Sequence, residues 1–400
     1  MALVHQFQGF AEKSGSMEEK SLVTVRRWVR FAGAFSLVGA ALPSLCGAQG
    51  LLPDEAVQAI LSERVDLGRN PGIVVGIMDE TGPRVVAVGT SGRVGVGLDG
   101  NTIFEIGSIT KVFTAAVLQE LVGRGEVRFD DPVADLLPSH VRVPAQGDRK
   151  ITLLDLATHR SGLPRMPSNF FPGDPQNPFA DYTVEQLYAF LSGYELERGI
   201  GAEWDYSNLG MGLVGHALCL KAGQAFEGLV RDLILESLGM ENTGIHLAPP
   251  ADGPFAQGHN MIAQPVPSWD FLTLPGAGAL RSTTYDMLLF AAANLVEDGP
   301  EISSALHRTH EIRAPNIAGN LSMALGWLVD QRFPERPIIW HNGGTGGFHS
   351  FIGLDKVSHR AVVVLTNGAQ SIDDIGFHLL DPRNPLTPPE PLGGPAVRDK

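Results

Sequence analysis

Ser108 and Lys111 stand three residues apart in the run Phe104-Glu105-Ile106-Gly107-Ser108-Ile109-Thr110-Lys111, at the head of a long apolar segment. A helix beginning at Ser108 brings both side chains to one face, with about 5–6 Å between Cβ atoms. The free N–H groups and dipole of a helix N-terminus favour a developing negative charge. A lysine held there is costly as an ammonium unless partnered, which lowers its pKa and lets it help remove a proton from serine. The chemistry implied is attack by an activated hydroxyl. A plainer alternative is that Ser108 merely caps the helix, and S-x-x-K alone is a common pattern.

Two further groups corroborate the first. Tyr206-Ser207-Asn208, preceded by Trp204 and followed by Leu209-Gly210-Met211-Gly212-Leu213, opens another apolar helix. The Tyr206 phenol can act as a general base if a nearby cation lowers its pKa, and Asn208 can hold a substrate amide or the lysine. The third group is Trp340-His341-Asn342-Gly343-Gly344-Thr345-Gly346-Gly347-Phe348, which ends one strand and turns into the next. Glycines on an edge strand let a ligand or another backbone approach closely. An N–H there could pair with that of Ser108 as an oxyanion hole.

The elements that must position these groups follow from apolar periodicity. Ile73–Met78 and Arg84–Val88, joined by Asp79-Glu80-Thr81-Gly82, form a β-hairpin. From Ser108 onward, apolar residues fill nearly every side of a helix that stops near Gly123 and Gly125, so that helix must be buried. Residues 160–180 have no periodicity and make a long loop of the kind that borders a cleft. Helical patterns recur at 183–192, 208–221, 225–238 and 283–297. Leu325–Asp330, Pro337–His341, His349–Leu354 and Ala361–Thr366 read as an antiparallel meander. A hairpin early and a meander late imply one sheet assembled from both ends of the chain, with a helical subdomain inserted.

This order of motifs resembles the serine β-lactamase and penicillin-binding superfamily. The likeness is strongest to its class C β-lactamase-like branch, which also includes DD-peptidases, D-aminopeptidases and esterases. The similarity spans roughly residues 55–380 and takes in Ile151–Pro164, Leu238-Gly239-Met240 and Gly276–Thr283. The resemblance implies an α+β fold, an antiparallel sheet flanked by helices with an inserted all-helical subdomain. It implies Ser108 as nucleophile, Lys111 and Tyr206 as the proton-transfer pair, and Asn208 as a substrate or lysine contact. It also implies an oxyanion hole from the N–H groups of Ser108 and Gly344, with His341, Gly343, Gly344 and Thr345 along the substrate. No metal or organic cofactor is implied.

Two departures bear on substrate. His341 stands where β-lactamases of this branch usually have lysine, and histidine is charged only part of the time. Met166 takes the place of a polar side chain that contacts the acylamide of β-lactams. The expectation is therefore an acyl-enzyme hydrolase acting on D-Ala-D-Ala-type peptides or β-lactams, a peptidase or promiscuous hydrolase rather than a dedicated resistance enzyme. The alternatives are a carboxylesterase using the same residues and a penicillin-binding sensor that does not turn over.

Composition narrows the partners. The 400 residues are 44% hydrophobic and carry a formal net charge of −14 without a basic stripe, which excludes nucleic acid and suits a small-molecule or peptide substrate. Arg26, Arg27 and Arg30 precede the apolar run Phe31–Leu45, and Cys46-Gly47-Ala48 offers small residues for cleavage, so residues 1–48 read as an N-terminal extension and secretory signal. The run is shorter than the roughly 20 residues that span a bilayer, so no stable membrane span is expected. An exported chain, periplasmic or secreted, follows. Removing Cys46 leaves Cys219 without an internal partner. The hydrolase domain is taken as 49–381 and a disordered Pro-rich tail as 382–400; oligomeric state is left open. Gly95-Val96-Gly97-Leu98-Asp99-Gly100 matches a nucleotide-binding pattern but runs into an extended segment rather than a helix. His307 and His310 lack a third ligand, His159 reads as a structural hydrogen-bonding residue, and no G-x-S-x-G elbow occurs.

Overall fold

A computed structural model describes residues 52–247, 254–296 and 299–388. The N-terminal extension assigned to export lies outside the described residues, as does the tail beyond 388.

The hairpin forms as β1 (Gly72–Asp79) and β2 (Gly82–Gly89), with Asp79 opposite Gly82 across a two-residue turn. Late in the chain come β3 (Ala314–Ala318), β4 (Leu321–Met323), β5 (Leu328–Asp330), β6 (Ile338–Gly344), β7 (His349–Asp355) and β8 (Arg360–Thr366). One eight-stranded antiparallel sheet results, ordered β2-β1-β8-β7-β6-β5-β4-β3. The first hairpin joins the meander through β1 against β8, Ile73 opposite Thr366, so both ends of the chain build the sheet.

The helices are α1 (Asp54–Asp66), α2 (Thr110–Gly123), α3 (Leu153–Ala157), α4 (Val184–Gly193), α5 (Asn208–Ala222), α6 (Phe226–Val230, continued by a π-helical segment Arg231–Leu235 and a last turn Glu236–Leu238), α7 (Thr284–Leu295), α8 (Glu301–Thr309) and α9 (Asp373–Leu380). Along β1, Ile73, Val75 and Ile77 share a core with Val57 and Leu61 of α1 and Ile375 and Leu379 of α9. Val74, on the opposite face, belongs to the larger core with Phe113 of α2 and Phe290 of α7. Burial on both faces explains why β1 is an unbroken apolar run. α2 is the hub. Leu118, Phe113 and most of its other side chains are buried, and α5 and α6 pack on it from the helical subdomain, with α3 behind α5. Each fully buried Leu, Val or Phe contributes about 1.5–3 kcal/mol.

Three expectations are corrected. The strand expected at Leu325–Asp330 begins only at Leu328, because Gly326 takes φ +74° against α2, where a Cβ would lie 2.5 Å from that of Ala115. The tail expected to be disordered from 382 is structured as far as 388. Asn384 is buried, and Thr387 donates its N–H to Asp374 and accepts from Arg64 through its carbonyl. The helix expected to begin at Ser108 begins at Thr110, preceded by a 3-10 turn over Gly107–Ile109.

Candidate active site

The turn before α2 positions Ser108. Gly107 has φ +49°, a conformation that suits glycine, and a Cβ there would lie 2.8 Å from the Gly344 nitrogen. Ser108 follows directly, part-exposed, and its hydroxyl caps no helix. Lys111, one turn on, is fully buried, with Nζ 2.9 Å from Ser108 Oγ. Nζ also donates to the Ala277 carbonyl at 2.6 Å. The segment carrying Ala277 is itself tied to α2, through Thr114 Oγ1 donating to Gly276 and the Leu280 N–H donating to Thr110 Oγ1.

Burial holds the Lys111 amine well below the ordinary lysine range, and the Arg165 cation pushes in the same direction. A neutral amine in hydrogen-bond contact with a serine hydroxyl can accept its proton.

Tyr206 reaches the same point from α5. Ser207 caps that helix, its Oγ accepting from Gly210 N–H at 2.8 Å and donating to the Pro164 carbonyl at 2.7 Å. The Lys111 Nζ lies 4.9 Å from the Tyr206 ring centroid, and the phenol is hydrogen-bonded to Ser108. A cation lowering the Tyr206 pKa into base range was the expectation. The structure reverses it: burial pushes the phenol up to about 12, outweighing the Ser108 hydrogen bond and the Arg165 charge. Tyr206 is therefore protonated at neutral pH and suited to donate.

His159 brackets Tyr206, as its structural reading anticipated. Its carbonyl accepts the Asp205 N–H at 2.9 Å, its Nδ1 accepts the Ser207 N–H at 3.1 Å, and its ring lies 4.6 Å from that of Tyr206. Burial keeps the imidazole neutral, helped by Lys111.

β6 supplies the opposite wall. The Thr345 N–H donates to the Phe348 carbonyl at 3.0 Å, so ladder alternation turns the Gly344 N–H away from β7. It faces the turn around Gly107 and Ser108. Gly343 permits this approach, since a Cβ on it would lie 2.8 Å from the Ser108 nitrogen and 2.0 Å from the Ile106 carbonyl oxygen. Ser350 of β7 locks the same junction by donating to the Ile106 carbonyl at 2.8 Å. Backbone N–H groups from Ser108 and Gly344 are thus neighbours across a gap suited to an oxyanion.

The remaining predicted residues divide. Asn208 opens α5 beside Tyr206, and its Oδ1 is buried with no hydrogen-bond partner among the described residues. Thr345 lies at the end of β6 against the buried Glu105 carboxylate. His341 is buried, and its Nδ1 donates to the Asn342 carbonyl at 2.6 Å. Burial, reinforced by Lys111, pulls its pKa down to about 3. The part-time cation expected there is a neutral imidazole. His307 meets Lys356, at 3.2 Å, rather than a ligand set.

Sequence reasoning missed two features. An aromatic wall of Phe179 and Phe271, stacked at 4.4 Å, and Trp269 stands beside the glycines. A Cβ on Gly278 would lie 3.2 Å from Phe271 and one on Gly346 2.8 Å from Trp269. Glu105, in the two-residue strand Phe104–Glu105 ahead of Ser108, accepts the Trp269 main-chain N–H at 2.8 Å, coupling the wall to that strand. The other feature is Arg165, whose guanidinium carbon lies 5.1 Å from the Tyr206 ring centroid. Its sequence signal is a cation in a stretch without any carboxylate between Asp155 and Asp174.

The protein is 29% identical over 282 residues to the D-alanyl-D-alanine-carboxypeptidase/endopeptidase AmpH of Escherichia coli (strain K12), covering 66% of this chain and 71% of that one. Its fold matches a class C β-lactamase from Rhodobacter sphaeroides with TM-score 0.69 at 24% identity, over 82% of this chain and 98% of that one. A D-stereospecific amidohydrolase from Streptomyces sp. matches with TM-score 0.65 at 26% identity, over 80% and 95% of the two chains. The family profile described as Beta-lactamase matches residues 57–378, and the chain accordingly belongs to the β-lactamase family of serine hydrolases.

Proposed function

We propose that the protein forms an acyl-enzyme on Ser108 with peptide-like or β-lactam carbonyls and then hydrolyses it. The observation that carries this reading is the buried Lys111 amine 2.9 Å from Ser108 Oγ. In the first step Lys111 takes the Ser108 proton while Oγ bonds to the carbonyl carbon. The carbonyl oxygen gains the electron pair and meets the Ser108 and Gly344 N–H groups. Collapse of the tetrahedral species breaks the bond to the leaving group, which receives a proton from Tyr206, and Tyr206 recovers one from Lys111. Water repeats the sequence on the ester. D-Ala-D-Ala-type peptides are favoured as substrates by the likeness to the carboxypeptidase AmpH.

One observation favours a second reading. The neutral His341 removes a cation from the glycine strand, which suits a carboxylesterase using the same residues. Turnover of a p-nitrophenyl ester, nitrocefin and a D-Ala-D-Ala peptide separates the two. Amide or β-lactam turnover supports the first reading, and ester turnover alone defeats it.

We also propose that the chain works outside the cytoplasm, in a periplasm or secreted. The support is Arg26, Arg27 and Arg30 before Phe31–Leu45. Immunodetection of the protein in the cytosolic fraction only, at full length, would contradict this.

A further inference from the structure

Most cations around the cleft are already engaged. Arg198 pairs with Asp205, Arg281 lies 3.5 Å from Asp270 and 3.9 Å from Glu105, and Arg160 donates to the Gly201 carbonyl. Arg165 differs. It is exposed, and its guanidinium has no carboxylate or hydrogen-bond partner among the described residues. Its main chain is nevertheless fixed, because its carbonyl accepts the N–H groups of Asn208 and Leu209 at 3.0 and 3.1 Å. The side chain is therefore rooted beside the Tyr206-Ser207-Asn208 turn, with the Tyr206 ring 5.1 Å beneath its guanidinium carbon. An aromatic face holds a guanidinium by cation–π attraction and leaves its planar fork of donors free.

Among the described residues around Ser108, no other group offers a free positive charge to a ligand. The Lys111 amine is occupied by Ser108 and Ala277. His341 gives its Nδ1 proton to the Asn342 carbonyl, and His159 accepts a backbone N–H at its own Nδ1. Both rings are buried.

We infer that Arg165 is the anion-recognising residue of this site, selecting substrates that carry a carboxylate near the scissile carbonyl. Recognition is thereby moved from the glycine strand to the loop between α3 and α4, where Arg165 is tied to the start of α5. The inference rests on the acyl-serine reading above. A guanidinium fork accepts a carboxylate in two parallel hydrogen bonds, which gives direction as well as attraction.

The test compares mono-p-nitrophenyl glutarate with p-nitrophenyl valerate, esters that differ by a carboxylate in place of a terminal methyl. Wild type, Arg165→Met and Arg165→Lys are assayed with both. The readout is the ratio of kcat/KM for the anionic ester to that for the neutral one. Effects of Arg165 on Lys111, which act on both esters alike, cancel in that ratio. Arg165→Met lowers the ratio about tenfold or more, the size of one charge-assisted hydrogen bond, and Arg165→Lys, keeping charge without the fork, falls between. A ratio unchanged within about twofold in Arg165→Met overturns the inference while leaving the serine chemistry intact. Valerate turnover that survives Ser108→Ala overturns the acyl-serine reading and the inference with it.

Discussion

Replacing Gly343 by alanine tests the oxyanion gap without touching a side chain that does chemistry. The new Cβ would stand 2.0 Å from the Ile106 carbonyl oxygen, 2.6 Å from Ser350 Oγ and 2.8 Å from the Ser108 nitrogen. Two of these neighbours are backbone, and carbon–oxygen contacts settle near 3.3 Å or more, so β6 must retreat from the turn by roughly 1 Å. The retreat carries the Gly344 N–H away from that of Ser108. Loss of one oxyanion donor costs about 10²–10³ in kcat, or about 2.7–4 kcal/mol. Gly344→Ala is the control for position, because its Cβ would meet nothing closer than His349 Cδ2 at 3.8 Å. Steady-state turnover of p-nitrophenyl valerate, measured well below the melting temperature of each variant, should place Gly343→Ala at least tenfold below Gly344→Ala. Overpacking also destabilises by about 1–3 kcal/mol, so folded fractions are checked by circular dichroism. A folded Gly343→Ala protein with kcat within threefold of wild type refutes the geometry.

Other outcomes follow from the same site. Tyr206→Phe keeps the ring against His159 and removes the phenol, so kcat should fall about 10²–10⁴ in the same assay; turnover near wild type would remove Tyr206 from proton transfer. Lys111 must be neutral to accept a proton, so activity rises with pH through a pKa held below the lysine value of 10.5. Taking away a neighbouring cation in Arg165→Met lifts that pKa and moves the acid limb of kcat/KM to higher pH, whereas an unmoved limb contradicts the coupling. Burial raises Asp286 to about 7, against an ordinary value of 3.8, despite hydrogen bonds from Asn242 and Thr243. The native state then holds a proton that the unfolded chain has lost, so stability falls as pH rises from about 4 to 7 and levels off above. The full span is about 4 kcal/mol. Urea unfolding of Asp286→Asn should lack this slope, and parallel pH dependences would exclude Asp286 as its source.

Legibility followed the reach of each signal. α2 and α5 were plain because apolar residues recur on every side over several turns, and β1 because seven successive buried positions leave no polar face. α1 escaped because Asp54, Glu55, Glu63, Arg64 and Asp66 leave a stripe only wide enough for Val57 and Leu61. β3 and β4 escaped because Pro315, Asn316, Gly319 and Asn320 read as a loop, and only pairing across the sheet edge orders them. At the site, residue type and spacing brought Ser108, Lys111 and Tyr206 together. Their protonation was not legible, since burial decides it for Tyr206 and His341 and burial comes from elements hundreds of residues apart. Arg165 has no local motif; its meaning lies in the ring beneath it and in the absence of a nearby carboxylate.

The central claim, that Lys111 makes the Ser108 hydroxyl a nucleophile, is tested most directly by intact-protein mass spectrometry after exposure to a fluorophosphonate. Wild type should gain one phosphonyl group, located by peptide mapping on Ser108, and Ser108→Ala should gain none and turn over no substrate. A label on any other residue, or hydrolysis retained by Ser108→Ala, would contradict the account.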